Sequence, residues 1–195
     1  MIQASERLMK SDAELVSEAQ QGREQAFSEL MGRYKERAIR MAYTQVGNYE
    51  DAKDVSQEAF VKTFRALGRF ESKAKFSTWF YRILMNAAND FLRKRRLKNF
   101  LVWKKNETME TFFENVADTR SSPDESLQSR ELGERMSRAV QKLPEKQRWI
   151  FTLRFLENLT LEQIAETTGL ALGTVKASLH FAIQKFKKEM EDHGL

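Results

Sequence analysis

Apolar residues recur along this chain at three- and four-residue intervals, and no stretch alternates with a period of two, so every element reads as helix. Ser11 followed by Glu14 has the form of a capping box and opens a short helix that Gly22 ends. A long helix follows from about residue 24 to 46, with Phe27, Leu30, Tyr34, Ile39 and Met41 as its apolar positions. Gly47 stops it, and Asn48 caps a third helix that runs to Leu67, ahead of Gly68. A basic turn, "RFESKAKF", leads into a fourth helix over about residues 77 to 96. Positions 76, 80, 83, 84 and 87 there have core-like spacing, which predicts that Phe80 is buried.

The pattern then breaks. Residues 98–127 are mostly polar, with Pro123 placed for a first helical turn behind a capping Ser122, and read as a flexible linker of roughly thirty residues. Two apolar islands, "FLVW" at 100–103 and Phe112-Phe113, are unusual for a free tether; packing back on a domain is favoured over docking on a partner. The organisation predicted is all-α: a helical domain over 1–97, the linker over 98–127, and a second helical domain over 128–195. In the latter, Pro144 starts a helix and Thr160 with Gln163 repeats the capping box. The stretch "LTLEQIAETTGLALGTVKASLHFAIQKFKKEM" has the form of a helix-turn-helix. Ala165 is small where two helices cross, Gly169 sits where the turn needs a positive φ, and Ile164, Val175 and Leu179 hold the helices together.

Composition narrows the chemistry. The chain has no Cys and only two His, which removes disulfides, thiolate metal sites and Cys nucleophiles and argues against a His-based relay. No apolar leader or eighteen-residue apolar run is present, so neither a secretory signal nor a membrane span is expected, and a cytoplasmic location is. The formal net charge of +5 is modest but unevenly spread. Between Lys62 and Lys98 stand eleven Lys and Arg against Glu71 and Asp90, so that segment alone is +9 and the remainder is negative. A concentrated basic patch on such a background points to a polyanion, nucleic acid or anionic lipid.

Three clusters carry candidate chemistry. In "KFSTWFYRILMNAANDFLRKRR", aromatics lie between Lys73 and Lys75 and the run Arg93 to Arg96. In "DAKDVSQEAF", Asp51, Asp54, Gln57 and Glu58 fall within an arc of about 120° on the helix, with Val55, Ala59 and Phe60 turned away. Such carboxylates form a solvated face, a protein-docking face or a divalent-metal site; with no His nearby, no metal and no cofactor are expected. The second helix of the helix-turn-helix presents Thr174, Lys176, Ala177, Ser178 and His180 where recognition helices meet a major groove. Lys185, Lys187 and Lys188 follow as phosphate contacts.

In order and spacing, "DAKDVSQEAFVKTFRAL", "KFSTWFYRILMNAANDFLRKRR" and "LPEKQRWIFTLRFLENLTLEQIAETTGLALGTVKAS" resemble the small two-domain bacterial sigma factors of the extracytoplasmic-function (ECF) group, in the sigma-70 family. The resemblance implies a non-enzymatic subunit that gives RNA polymerase core its promoter specificity and starts melting. It implies that Asp51, Asp54, Gln57 and Glu58 bind the β′ clamp helices, and that the β flap is a further contact. The part that reads and opens the minus-ten element corresponds to Phe70, Lys73, Lys75, Phe76, Ser77, Thr78, Trp79, Tyr81, Arg82, Asn86, Asn89, Arg93, Arg95 and Arg96. Asn86 matches a position that contacts a base flipped from the non-template strand. The helix-turn-helix corresponds to the reader of the minus-thirty-five element, and an anti-sigma protein is an implied partner.

Physically, melting requires a replacement for lost stacking, which an aromatic face supplies at ~1–3 kcal/mol per captured base. Phe70, Phe76, Trp79 and Tyr81 cannot all serve; Phe70 and Trp79 are expected nearer the DNA. One departure is evident: relatives often carry Arg in the recognition helix where this chain has Ser178, Phe181 and Ile183, so the promoter sequence does not transfer. The principal alternative is a helix-turn-helix regulator that binds duplex DNA only, which leaves the acidic face and "FSTWFYRI" without a task. A nuclease using Asp51, Asp54 and Glu58 and a basic amphipathic membrane binder account for less of the chain.

Overall fold

The computed structural model describes residues 10–105 and 127–192, which hold eight α-helices and one turn of 3-10 helix. The N-terminal unit comprises α1 (Asp12–Gln20), α2 (Glu24–Val46), α3 (Tyr49–Ala66), the 3-10 turn Leu67–Arg69 and α4 (Phe76–Lys105). Its helix ends are set locally, because terminal N–H groups must find partners within a few residues. The Ser11 amide donates to Glu14 Oε2 at 2.6 Å while Ser11 Oγ accepts from the Glu14 amide at 3.3 Å. Asn48 Oδ1 accepts from the Asp51 amide at 3.0 Å and starts α3 directly after Gly47, whose φ of 77° ends α2.

Helix α2 is the axis of this unit, packed by α1, α3 and α4. Leu30, Tyr34, Ala38, Met41 and Ala42 of α2 meet Ala52, Val55 and Ala59 of α3 and Phe80, Leu84, Ala87 and Ala88 of α4, all buried. The alanines let helix axes approach, and Tyr34 fills the gap with its ring edge-on to Phe76 and Phe80, each at 5.3 Å.

Helix α4 extends past the Arg96 end expected from sequence and continues through Lys105, the last described residue before the linker. Residues 97–105 contain neither Gly nor Pro, so nothing local breaks the helix; the basic run lies mid-helix rather than at an end. "FLVW" therefore belongs to α4. Phe100 and Leu101 are more than half exposed, and the side chains of Val102 and Trp103 lie outside the described residues. Phe112-Phe113 and the Ser122-Pro123 cap lie outside the described residues.

The C-terminal unit comprises α5 (Leu127–Gln141), α6 (Glu145–Phe155), α7 (Leu161–Thr168) and α8 (Leu172–Asp192). Pro144 stands at the N-cap of α6, and Thr160 and Gln163 form the reciprocal capping box of α7. Gly169, φ 71°, turns α7 into α8 and donates its amide to Ala165 O at 2.8 Å. Ile164 and Val175 meet in the crossing, both fully buried.

The two units are in contact. Helix α6 packs on α2 and α7 packs on α4, so Trp149, Ile150, Leu153, Leu159, Ile164 and Val175 join one core with the N-terminal helices. Arg148 fastens α6 to the C-terminal end of α2, donating to Thr44 O at 3.1 Å and Gln45 O at 2.9 Å. Cations favour that end of a helix, where carbonyls lack intrahelical partners.

Candidate nucleic-acid interface

The acidic face of α3 forms as the spacing predicts. Asp54 and Gln57 are exposed, Asp51 and Glu58 are partly exposed, and Ala52, Val55 and Ala59 are buried behind them. Two of the carboxylates are engaged by cations of the same chain: Asp51 with Arg95 at 3.3 Å and Glu58 with Lys62 at 2.8 Å. Lys62 also reaches Asp90 on α4 at 3.5 Å. Among the described residues no three His, Asp or Glu side chains converge as a metal site.

Two members of this face were not anticipated. Val61 and Phe64 are 42% and 61% exposed, and the Phe64 ring sits edge-on to Phe27 of α2 at 4.9 Å. Each lies seven residues beyond Asp54 and Gln57, which places them on the same helix face to within about 20°. That heptad step was readable in the sequence. It makes the face an acidic patch with an apolar end, a combination suited to protein docking.

The loop before α4 is fixed from below. Gln20 of α1 donates to Leu67 O at 2.9 Å and to Phe70 O at 2.8 Å, and Ser72 takes a left-handed conformation with φ 54°. Phe70 and Trp79 thereby meet at 4.7 Å, tilted by 31°, both partly exposed. Exposed Lys73 and Lys75 stand beside them, Lys73 paired with Glu71. Phe80 is fully buried, as its spacing predicts.

Three residues assigned to the minus-ten segment do not lie on its surface. Phe76 is 5% exposed, Thr78 2% and Tyr81 1%. Phe76 belongs to the stripe that faces Tyr34, and Tyr81 is drawn in between Tyr34 and the C-terminal unit. These side chains are covered where a base would have to reach them. Ser77 is partly exposed.

The remaining assigned residues of α4 form a ridge. Trp79, Asn86 and Arg93 step by seven along one line, and Arg82, Asn89 and Arg96 step by seven along a second line about 60° round the helix. The first line faces solvent in part: Asn86 and Arg93 are exposed, Arg93 pairing with Asp90 at 2.9 Å. The second line is held by the C-terminal unit. Arg82 donates to the Glu166 and Thr167 carbonyls at the end of α7, Asn89 Oδ1 accepts from Trp149 Nε1 at 3.2 Å, and Arg96 pairs with Glu145 at 3.0 Å. Arg95, on neither line, donates to Val46 O at 3.2 Å as well as to Asp51.

Beside this line the Tyr81 hydroxyl donates to Glu157 Oε2. Burial pushes the Glu157 carboxyl above its usual range, against the opposing pull of the Tyr81 hydrogen bond and of Arg37 and Arg40. Its other oxygen is buried without a partner.

On α8, Thr174, Lys176, Ala177, His180 and Lys185 are exposed, Ser178 partly so, and Val175 and Ala182 point inward. Phe181, one of the three positions where relatives often carry Arg, is 60% exposed. The exposed surface of α8 is thus apolar at its middle and basic toward its C-terminal half.

This arrangement is a four-helix unit with an acidic face on α3 and a basic, aromatic ridge on α4, joined to a helix-turn-helix unit. Residues 30–98 match sigma-70 region 2, and residues 133–186 match sigma-70 region 4. The chain belongs to the sigma-70 family and, within it, to the ECF sigma factors. It is 32% identical over 186 residues to the ECF RNA polymerase sigma-E factor of Escherichia coli K12, covering 93% of this chain and 95% of that protein. It is 29% identical over 178 residues to the ECF sigma factor SigW of Bacillus subtilis 168, covering 91% and 95%. The fold resembles that of the sigma factor RpoE bound to the anti-sigma factor NepR from Bartonella quintana, with a TM-score of 0.67 at 18% identity over 85% of this chain and 96% of that one.

Proposed function

We propose that this ECF sigma factor divides promoter opening among three surfaces. The α3 face of Asp51, Asp54, Gln57 and Glu58, extended by Val61 and Phe64, docks on the β′ clamp helices of polymerase core. The ridge of α4, with Phe70 and the lysines of the preceding loop, captures the unwound minus-ten strand. The exposed residues of α8 dock on the minus-thirty-five duplex. The chain acts in the cytoplasm as a subunit with no catalytic groups of its own, under an anti-sigma protein. The division of residues 1–97 from 128–195 into two working domains is supported by the separate region 2 and region 4 matches.

The observation that carries strand capture is the pair Phe70–Trp79, half-open at 4.7 Å, with exposed Asn86 seven residues further along the same line of α4. Stacking on such a platform is sequence-tolerant, whereas an amide beside it distinguishes bases by ~1–3 kcal/mol. The test is open-complex formation by permanganate footprinting, on promoter templates with a matched or a pre-mismatched minus-ten segment. Asn86→Ala is expected to slow opening and relax base preference, with partial rescue on the mismatched template. Lys176→Ala is expected to weaken binding on both templates and flatten the salt dependence, because its role is a phosphate contact. Equal rescue of both variants overturns the division of labour.

A further inference from the structure

We infer that Phe181 selects a thymine in the duplex that docks on α8, by contact with the C5-methyl group in the major groove. This rests on the placement of the minus-thirty-five duplex on α8 given above, and adds which base that surface prefers. Phe181 is 60% exposed, whereas Val175, Leu179, Ile183 and Phe186 of the same helix are buried or half-buried. Its ring stands edge-on to that of His180, the preceding residue, at 5.7 Å. Thr174, Phe181 and Lys188 step by seven along one line of α8, drifting by about 20° at each step, with Ala177 beside it. All four are exposed. From Leu172 to Lys188 the helix carries Lys176, Lys185, Lys187 and Lys188 and no acid, so phosphates are attracted on either side of the ring.

A phenyl ring has neither donor nor acceptor and cannot answer the hydrogen-bonding code of the major groove. Of the groups that the four base pairs present there, the thymine methyl is the apolar one. Against thymine the ring buries apolar surface that both partners otherwise expose to water. Against guanine it covers the O6 and N7 acceptors with nothing to replace their water, which is costly. The position therefore favours thymine and rejects guanine. Ala177, one turn earlier, is short enough to let the helix lie close to the base edges.

The experiment uses holoenzyme reconstituted from the full chain and purified polymerase core. Selection from a random duplex library of promoter length defines the upstream block of enriched sequence, with Lys176→Ala and Phe181→Arg selected in parallel. Each thymine of that block is then replaced in turn by deoxyuridine, which differs only in lacking the methyl. Affinities for the paired duplexes are measured with the wild type, Phe181→Ala and Phe181→Leu, and circular dichroism verifies folding.

The wild type is expected to select a thymine at one fixed position and to lose about fourfold in affinity when its methyl is removed, as for one buried methyl-sized group. Phe181→Ala is expected to bind the two duplexes alike, and Phe181→Leu to keep part of the preference. Phe181→Arg is expected to select guanine there, whose O6 and N7 accept its paired donors. An upstream block with no fixed thymine, a wild type indifferent to the methyl, or a Phe181→Ala variant that keeps the full methyl effect overturns the inference. So does a Phe181→Arg variant that still selects thymine. The two claims fail differently: an upstream block that Lys176→Ala leaves unchanged refutes the placement of the duplex on α8, whereas a block that depends on Lys176 but not on the methyl refutes the role of Phe181 alone.

Discussion

Replacing Trp79 by Ala tests whether a half-open aromatic serves the fold or the DNA, and both effects are calculable. Truncating a fully buried Trp or Phe costs about 3–5 kcal/mol. Trp79 is partly exposed and packs mainly on Phe70 at 4.7 Å and Phe76 at 5.8 Å, so a loss of about half, near 2 kcal/mol, is expected for stability. As a stacking platform it contributes ~1–3 kcal/mol per base, which is a five- to 150-fold loss in single-strand affinity. Phe80→Ala is the paired control. That ring is fully buried and contacts Tyr34, Phe60 and Phe76, so its truncation is expected to cost the full 3–5 kcal/mol of stability. Chemical denaturation measures the first quantity, and anisotropy with dT12 under folded conditions measures the second. In the Trp79 variant the binding loss is expected to persist where the protein is fully folded; in the Phe80 variant it is expected to vanish once the folded fraction is accounted for. A Trp79 variant whose DNA affinity matches wild type in the folded state refutes the assignment, and Trp79 is then a packing residue.

Asp54→Lys/Glu58→Lys is expected to abolish binding to polymerase core with little change in thermal stability, and Phe64→Ala to weaken it with both carboxylates intact; pull-down with purified core reads both. Because the units share a core, a chain cut by limited proteolysis between Lys105 and Leu127 is expected to elute from gel filtration as one particle, its halves still associated. For Glu157 the folded carboxyl is raised, so its stabilising contribution is present at low pH and is lost as pH rises through the folded value. Glu157→Gln mimics the protonated form. Its melting temperature is accordingly expected to gain on wild type between pH 4 and 7; a constant difference across that range refutes the burial of a reluctant anion.

How much of this molecule was legible in advance divides along a physical line. The Ser11–Glu14 and Thr160–Gln163 boxes, the Asn48 cap and the stops at Gly47 and Gly169 were all readable, because each satisfies backbone groups within about four residues of itself. The core stripe through Phe80, the acidic arc of α3 and the exposed residues of α8 follow from helical spacing for the same reason. Val61 and Phe64 were legible too, one heptad beyond Asp54 and Gln57. The length of α4 was misjudged, since a basic run is compatible with both the middle and the end of a helix.

Only the tertiary structure decided what covers each face. Periodicity shows that Tyr81 and Arg82 lie near a helix surface; it carries no information on a partner many residues away. Tyr81 meets Glu157 across 76 positions of chain, Asn89 meets Trp149 across 60 and Gln45 meets Arg148 across 103. The burial of Tyr81 and the occupation of Arg82, Asn89 and Arg96 come from those contacts. They depend on how two amphipathic bundles pack against each other, and a helix whose two faces both carry large side chains leaves that choice to the rest of the molecule.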